Sequence, residues 1–516
     1  MSQAAAARLA ERLRAPVRSI ADLTAVVEAC EALRAAWTGA DPALEAELRR
    51  AAPNADPVLM ESALGLASGD LRHHTRILDG AEASLGTAPL EALNHILWSV
   101  VRQQFMASMD AASLPDFVMG RLLPYYERLI GEIARRLDLR PIPRAAGAPA
   151  TGRAVLVTNQ FLSANHQPSR DLLDYAATVE ERIGKEVVIL NTNMMPAALH
   201  TLFVPPFAAN VESAFDGKQI VDVDGRSFRM LSSTEPAITA EKLGWFLRAV
   251  EWHDPDVVIG FGGAVMVADL LAPARPTLTI PTTTGVALSL ADIVLDYGGA
   301  SPPQGHARLA AAWRPFRTRF SLRGEPGGMS RADLGIGDES LVCAVVGNRL
   351  DEEVSDDFLA LLEAVIDRVP RALVLFAGGV ETLPRRLERF RHAGALRCLG
   401  FVDDIRGLLG VCDLFLNPPR TGGGGSAAHA LADGVPPVTL PQGDVASVVG
   451  PAFTVPDHAA FVERAAALAG DAGLLEHARA EARARYAAIG AGESAAAQLA
   501  AYIDEAVALF ARRTAA

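Results

Sequence analysis

Cysteine is scarce in this 516-residue chain: Cys30, Cys343, Cys398 and Cys412 stand far apart. The last three lie inside apolar, strand-like runs, so they read as buried thiols and build neither a disulfide framework nor a metal cluster. Long hydrophobic runs are missing as well. No stretch of about 18 uncharged apolar residues occurs, and no membrane span is expected. The opening MSQAAAARLAERLRAP has arginines but no continuous apolar centre, so a secretory signal is not expected and the cytoplasm is the expected location. Basic runs are absent, and the net charge is −13, which argues against nucleic acid or an anionic membrane as main partner. A small anion held by local donors stays open. With half its residues apolar and 21% charged, the chain has the composition of an ordinary core-forming protein, long enough for three or four domains.

What is present changes texture along the chain. Residues 1–148 read as an all-α domain. Leu23, Val26, Val27, Cys30, Leu33 and Trp37 fall at three- and four-residue spacings, one buried face of a helix that stops at Gly39. Similar patterns run through 90–105 and 117–137, without a repeat period that would make a solenoid. The Pro- and Gly-rich stretch 140–152 reads as a linker.

From residue 153 short apolar runs alternate with helical patterns: 154–159, 186–193, 256–263, 277–284 and 291–298 read as strands, with a helix over 170–183. Strands of this kind are expected to be parallel and buried on both faces. Residues 301–325 read as a hinge. A second α/β set follows, with strands at 341–347, 372–379, 396–402, 412–417 and 436–440 and a helix over 355–369. A last helix, 496–512, is expected to bury Leu499, Ile503, Val507 and Phe510. The expected organisation is therefore α/β: an all-α domain (1–148), one Rossmann-like lobe (149–325), a second (326–495) and a C-terminal helix (496–516), with a cleft between the lobes.

The second lobe contains the most informative segment, LNPPRTGGGGSAAHALADGVPPVTLPQGDVASVV, residues 416–449. A strand runs out, turns through two prolines, crosses Gly422, Gly423, Gly424 and Gly425, and enters a helix read as Ser426 to Ala432. Glycines allow a close backbone approach. A helix start presents unpaired N–H groups and the positive end of the dipole, together an anion site suited to a diphosphate. Asn348 and Arg349 follow the first strand of this lobe. Arg349 either makes parallel hydrogen bonds to a phosphate or pairs with Asp351, Glu352 or Glu353 on the surface. Ser426 either donates to phosphate or caps its helix. His429, one turn in, either contacts a ribose or is a buried, hydrogen-bonded histidine.

These residues resemble the nucleotide-sugar site of GT-B glycosyltransferases, nearest to the family of O-linked N-acetylglucosamine transferase and the bacterial adhesin N-glucosyltransferases. The run 399–418, LGFVDDIRGLLGVCDLFLNP, resembles GT-B enzymes generally, which implies that the backbone at Phe401 and Val402 faces the nucleotide base. NQFLSANHQPSRDLL (159–173) and PTTTGVALSLADIVLDY (281–297) resemble first-lobe turns of the same family. By resemblance, His166 stands near the sugar or acceptor, where an imidazole accepts a hydroxyl proton; alternatively it holds its own turn together. Thr282, Thr283 and Thr284, and Gly262 and Gly263, touch acceptor or sugar or are plain turn residues. Two departures stand out. His429 occupies a position where the family has a ribose-binding acid, and Glu353 stands near where a diphosphate-binding lysine is expected, leaving Arg349 as the substitute.

The resemblance implies an inverting, metal-independent glycosyltransferase of the GT-B fold, with no cofactor and a nucleotide sugar, UDP-sugar above others, as cosubstrate. Arg349 and the segment Gly423–Ser426 meet the charge of the departing diphosphate, and His166 serves the acceptor. The helical domain suggests a protein acceptor such as an adhesin or flagellin, or a homodimer contact. A non-catalytic sugar-nucleotide-binding scaffold and a nucleotide-sugar epimerase remain the alternatives.

Overall fold

The structure is a computed structural model. It describes all residues except 1, 35, 36, 38–40, 106–112, 146, 165, 284–286, 298–301, 303, 317–321, 323–326, 490, 491 and 516, and gives backbone alone for 2, 104, 105 and 492–494. The helix stop read at Gly39 and the candidate Thr284 lie outside the described residues. Two compact units emerge, one of residues 1–316 with 496–516 and the other of residues 317–495.

The first unit is built on an eight-stranded sheet. Its strands are β1 (Arg153–Thr158), β2 (Glu186–Asn191), β3 (Gly217–Val223), β4 (Arg226–Ser232), β5 (Val257–Phe261), β6 (Thr277–Ile280), β7 (Ile293–Tyr297) and β8 (Trp313–Phe316). They lie in the order β3-β4-β2-β1-β5-β6-β7-β8. All neighbours pair in parallel except β3 and β4, an antiparallel hairpin turning through Asp224 and Gly225 at φ 51° and 75°. The five strands read from the sequence pair in parallel as expected, and the hairpin is an addition to them: an Asp-Gly pair at positive φ makes the two-residue turn whose twist suits a hairpin. The boundary between the units, after Phe316, falls inside the stretch read as a hinge at 301–325, but part of that stretch is structured, as the helix Ala307–Ala312 and the strand β8.

Alternation along the strands sends side chains to two different layers. Val155 and Val157 of β1, Val258 of β5 and Val294 of β7 join one core with Leu97, Tyr126, Leu129 and Ile133 of the helical region. Ala154, Leu156, Ile259, Ile293 and Leu295 join another core with Leu172, Leu173 and Ala176 of the helix Gln167–Glu181. That second layer also takes Leu499, Ile503 and Ala506 of the C-terminal helix Gly492–Ala515. Val507, expected inside, is exposed and Ala506 is buried in its stead. The core-facing stripe 499, 503, 506, 510 follows the 3.6-residue turn, which carries 507 round to the solvent side.

The second unit holds a five-stranded, all-parallel sheet: β9 (Leu341–Gly347), β10 (Ala372–Gly378), β11 (Leu396–Gly400), β12 (Leu414–Leu416) and β13 (Pro437–Val438), in the order β11-β10-β9-β12-β13. Helices such as Asp356–Arg368 and Gly424–Ala432 bury Leu359, Leu362, Ala427 and Leu431 in its single core. Among the described residues no helix is long and apolar enough to cross a membrane.

Candidate functional site

Parallel strands place all their carboxyl ends on one edge of a sheet, where ligands of open α/β folds collect. In the second unit that edge gathers Asn348 and Arg349 after β9, Phe401 and Val402 after β11, and the Gly-rich turn after β12. Asn348 and Phe401 are exposed, Phe401 by 58% of its surface, and Val402 is half-buried.

The helix behind the Gly-rich turn begins at Gly424, two residues earlier than its sequence suggests. Its N-cap is Gly423 at φ +98°, and no side chain caps it; the reading of Ser426 as the cap is corrected, because Ser426 sits inside the first turn. The first helical bond runs from the Ala427 N–H to the Gly423 carbonyl at 3.1 Å. Gly424, Gly425 and Ser426 therefore have N–H groups without a carbonyl in their own helix. Gly422 and Gly424 are buried, while Gly423, Gly425 and Ser426 are half-buried. His429 is buried on the same helix.

Under this turn lies Arg420, a residue of the quoted segment that sequence reasoning passed over. Only 4% exposed, it donates from Nε to Asn417 Oδ1 (2.8 Å), from Nη1 to Glu353 Oε2 (2.7 Å) and from Nη2 to the Val346 carbonyl (2.8 Å). A Cβ at Gly423 would come within 2.6 Å of its Cζ, and a Cβ at Gly347 would collide with Nη1. Glycines at 347 and 423 thus make room for a guanidinium between the turn after β9 and the turn after β12. Glu353 also accepts from Arg349, at 2.9 Å from Nη2 and 3.3 Å from Nε. Burial pushes the Glu353 carboxyl up, but Arg420 and Arg349 together hold it below the ordinary glutamate value. Asn417 is locked in turn by its own Nδ2 on Thr439 Oγ1 at 3.0 Å.

In the first unit the adjacent strands β1, β5 and β6 bring three turns to one edge. His166 is the N-cap residue of the helix Gln167–Glu181, half-buried, with Nδ1 3.0 Å from Ser169 Oγ. Ser169 Oγ accepts the Leu162 N–H at 3.1 Å, so the histidine is tied to the loop that precedes its helix. Gly262 has φ +109°, and Gly263 and Ala264 offer their carbonyls to Asn159 Nδ2 at 3.1 and 3.0 Å. Buried Asn159 thereby fastens the turn after β5 to the end of β1, a second positioning group that sequence reasoning missed. Thr282 is exposed and Thr283 half-buried.

The second unit contains no lysine, because the three in the chain, Lys185, Lys218 and Lys242, all fall in the first unit. That shortage was legible in the sequence and points to arginine or backbone N–H groups for any anion held there. Among the described residues, the group close enough to share a metal ion is Glu45, Asp70 and His73, in the helical region of the first unit. Arg49, Arg72 and Arg76 ion-pair with Glu61, Asp70 and Glu45 around it, which makes it a compensated ionic network.

With this geometry in place, residues 341–471 match the family model described as Glycosyl transferases group 1. An O-GlcNAc transferase mutant from Thermobaculum terrenum superposes on 100% of this chain and 98% of its own, with a TM-score of 0.54 at 17% identity. Sucrose-phosphate synthase from Thermosynechococcus elongatus covers 69% of this chain and 99% of its own, at TM-score 0.51 and 15% identity. The fold is GT-B. Among curated proteins no sequence matches. The group 1 match supports glycosyltransferase activity.

Proposed function

We propose that the chain transfers a sugar from a nucleotide-diphosphate donor, a UDP-sugar, to a protein side chain, with inversion and without a metal ion. The observation that carries this reading is the edge of the second unit, inside the group 1 match. There the N–H groups of Gly424, Gly425 and Ser426 open a helix start beside the strut of Arg420, Glu353 and Arg349. Leaving-group charge on a diphosphate is the main electrostatic demand of glycosyl transfer, and preorganised N–H donors with a guanidinium meet it. Exposed Phe401 and half-buried Val402, on the same edge, are the groups proposed to face the base. Asn348 and His429 are the remaining donor-side candidates. Gly262, Gly263 and Thr283 line the proposed acceptor or sugar side.

His166 is proposed to take the acceptor proton. In the tautomer that donates Nδ1–H to Ser169 Oγ, 3.0 Å away, Nε2 is the basic nitrogen, the arrangement a general base needs. A protein acceptor and membership of the O-GlcNAc transferase family are finer readings. Their support is that the Thermobaculum terrenum neighbour spans the helical region too, whereas sucrose-phosphate synthase covers 69% of the chain. A cytoplasmic location and a homodimer through the helical region belong to the same proposal.

The test is calorimetric titration with UDP, GDP, dTDP and CDP on the wild type and on Arg349→Ala. UDP-selective binding, weakened roughly 10- to 100-fold in the variant as for loss of a charged hydrogen bond, supports the reading. No binding by any nucleoside diphosphate overturns it. One observation favours a second reading, a non-catalytic nucleotide-sugar-binding protein: Glu353 stands where the family resemblance leads one to expect a lysine, and it engages Arg349. Tight UDP-sugar binding without transfer or hydrolysis on a panel of peptides would decide for it.

A further inference from the structure

We propose that Glu353 is a positioning residue for the donor diphosphate: anchored by buried Arg420, its carboxylate aims the Arg349 guanidinium along the edge where Gly424, Gly425 and Ser426 present their N–H groups. This inference rests on the nucleotide-sugar reading above.

Glu353 and Arg420 have side chains only 6% and 3% exposed, so neither reaches a ligand itself. They form a strut. Arg420 grips the end of β9 through the Val346 carbonyl and the end of β12 through Asn417, and Glu353 extends that grip to Arg349, which is 36% exposed. The two oxygens of Glu353 are divided between the arginines, Oε2 to Arg420 and Oε1 to Arg349. The ion pair uses the Nε and Nη2 side of Arg349. A long side chain loses rotamer freedom when it is fixed. Fixing Arg349 before the ligand arrives removes part of that cost from binding. Glycine at 347 and 423 belongs to the same construction, since any side chain there would displace Arg420.

The experiment compares UDP with uridine by calorimetry on the full chain, in the wild type and in Glu353→Gln. The ratio of the two affinities isolates the diphosphate from the base and sugar, which general loosening of the fold would disturb together. The expected result is UDP binding weakened about tenfold or more, with uridine changed less than about twofold. Arg349→Ala added to Glu353→Gln is expected to cost little more, because the two act as one unit. Should Glu353→Gln fail to fold with Arg420 left uncompensated, the double variant Glu353→Met with Arg420→Met replaces the buried pair by apolar side chains and reads the same ratio. An unchanged ratio, or tighter UDP binding, in a folded variant overturns the positioning role while leaving the donor site intact. A wild type that binds neither UDP nor any other nucleoside diphosphate overturns the donor-site reading, and this inference with it.

Discussion

Gly423 holds φ +98° with the Arg420 guanidinium packed where a side chain would begin. Alanine there meets both backbone strain and a clash with a buried, triply bonded group. Gly423→Ala is expected to cost about 2 kcal/mol or more, read by denaturant unfolding, whereas Gly394→Ala, with open space and a negative φ, should stay within about 0.5 kcal/mol. The thiols give a second residue-scale test. Burial pushes Cys412 up to about 12 and Cys398 up to about 11, and drives Cys30 and Cys343 higher still. At pH 8 the thiolate fraction of half-buried Cys398 is about one part in a thousand. Labelling of the native protein by a thiol reagent should therefore be slow and confined to Cys398, with all four reacting in denaturant. Fast labelling of Cys343 in the native state would contradict the packing of β9.

Elements whose pattern is carried by local periodicity were legible in the sequence. β9 was read with its observed limits and β10 within one residue, because a run such as LVCAVVG is buried on both faces and bounded by turn residues. The β3–β4 hairpin was missed although Asp224-Gly225 is a strong turn signal, since its strands alternate and lack a continuous apolar run. At the candidate site the Gly-rich turn and Arg349 were visible as motifs. The link through Glu353 and Arg420 was not, because it joins residues 67 positions apart by a contact that only folding creates. The C-terminal helix tests the same point. Its stripe predicts that Ile503→Ala costs about 2–5 kcal/mol, as for buried aliphatic truncations, and that Val507→Ala costs under about 0.5 kcal/mol. Equal effects of the two in thermal unfolding would show that the helix is not docked as described.

Within the larger unit, the helical region is more than an appendage, because its contact with the sheet contains a buried acid. Asp269, on the helix Met266–Leu271, accepts from Tyr126 of the helical region at 2.5 Å, from Ser289 at 3.1 Å and from the Leu290 N–H at 2.7 Å. Burial dominates these donors and raises its carboxyl from 3.8 to about 6. The folded state therefore favours the protonated acid more than the unfolded chain does. Its stabilising effect is full below about pH 4 and is lost as pH rises through about 6, a change of about 3 kcal/mol. Glu61 has the opposite sign: burial raises its carboxyl, His73 and Arg49 outweigh that, and its value falls from 4.5 to about 2. Its contribution is full above pH 4.5 and is lost as pH falls toward 2, outside the Asp269 window. Between about pH 4.5 and 7 the two do not mask one another, and buried His74 and His95, both lowered to about 4, add a rise with pH that the variant shares with the wild type, so Asp269→Asn should make the slope of unfolding free energy against pH more positive over that range, measured by urea melts at several pH values. A variant with the same slope as the wild type would mean that Asp269 is ionised in the fold, and that the three donors, not burial, set its charge.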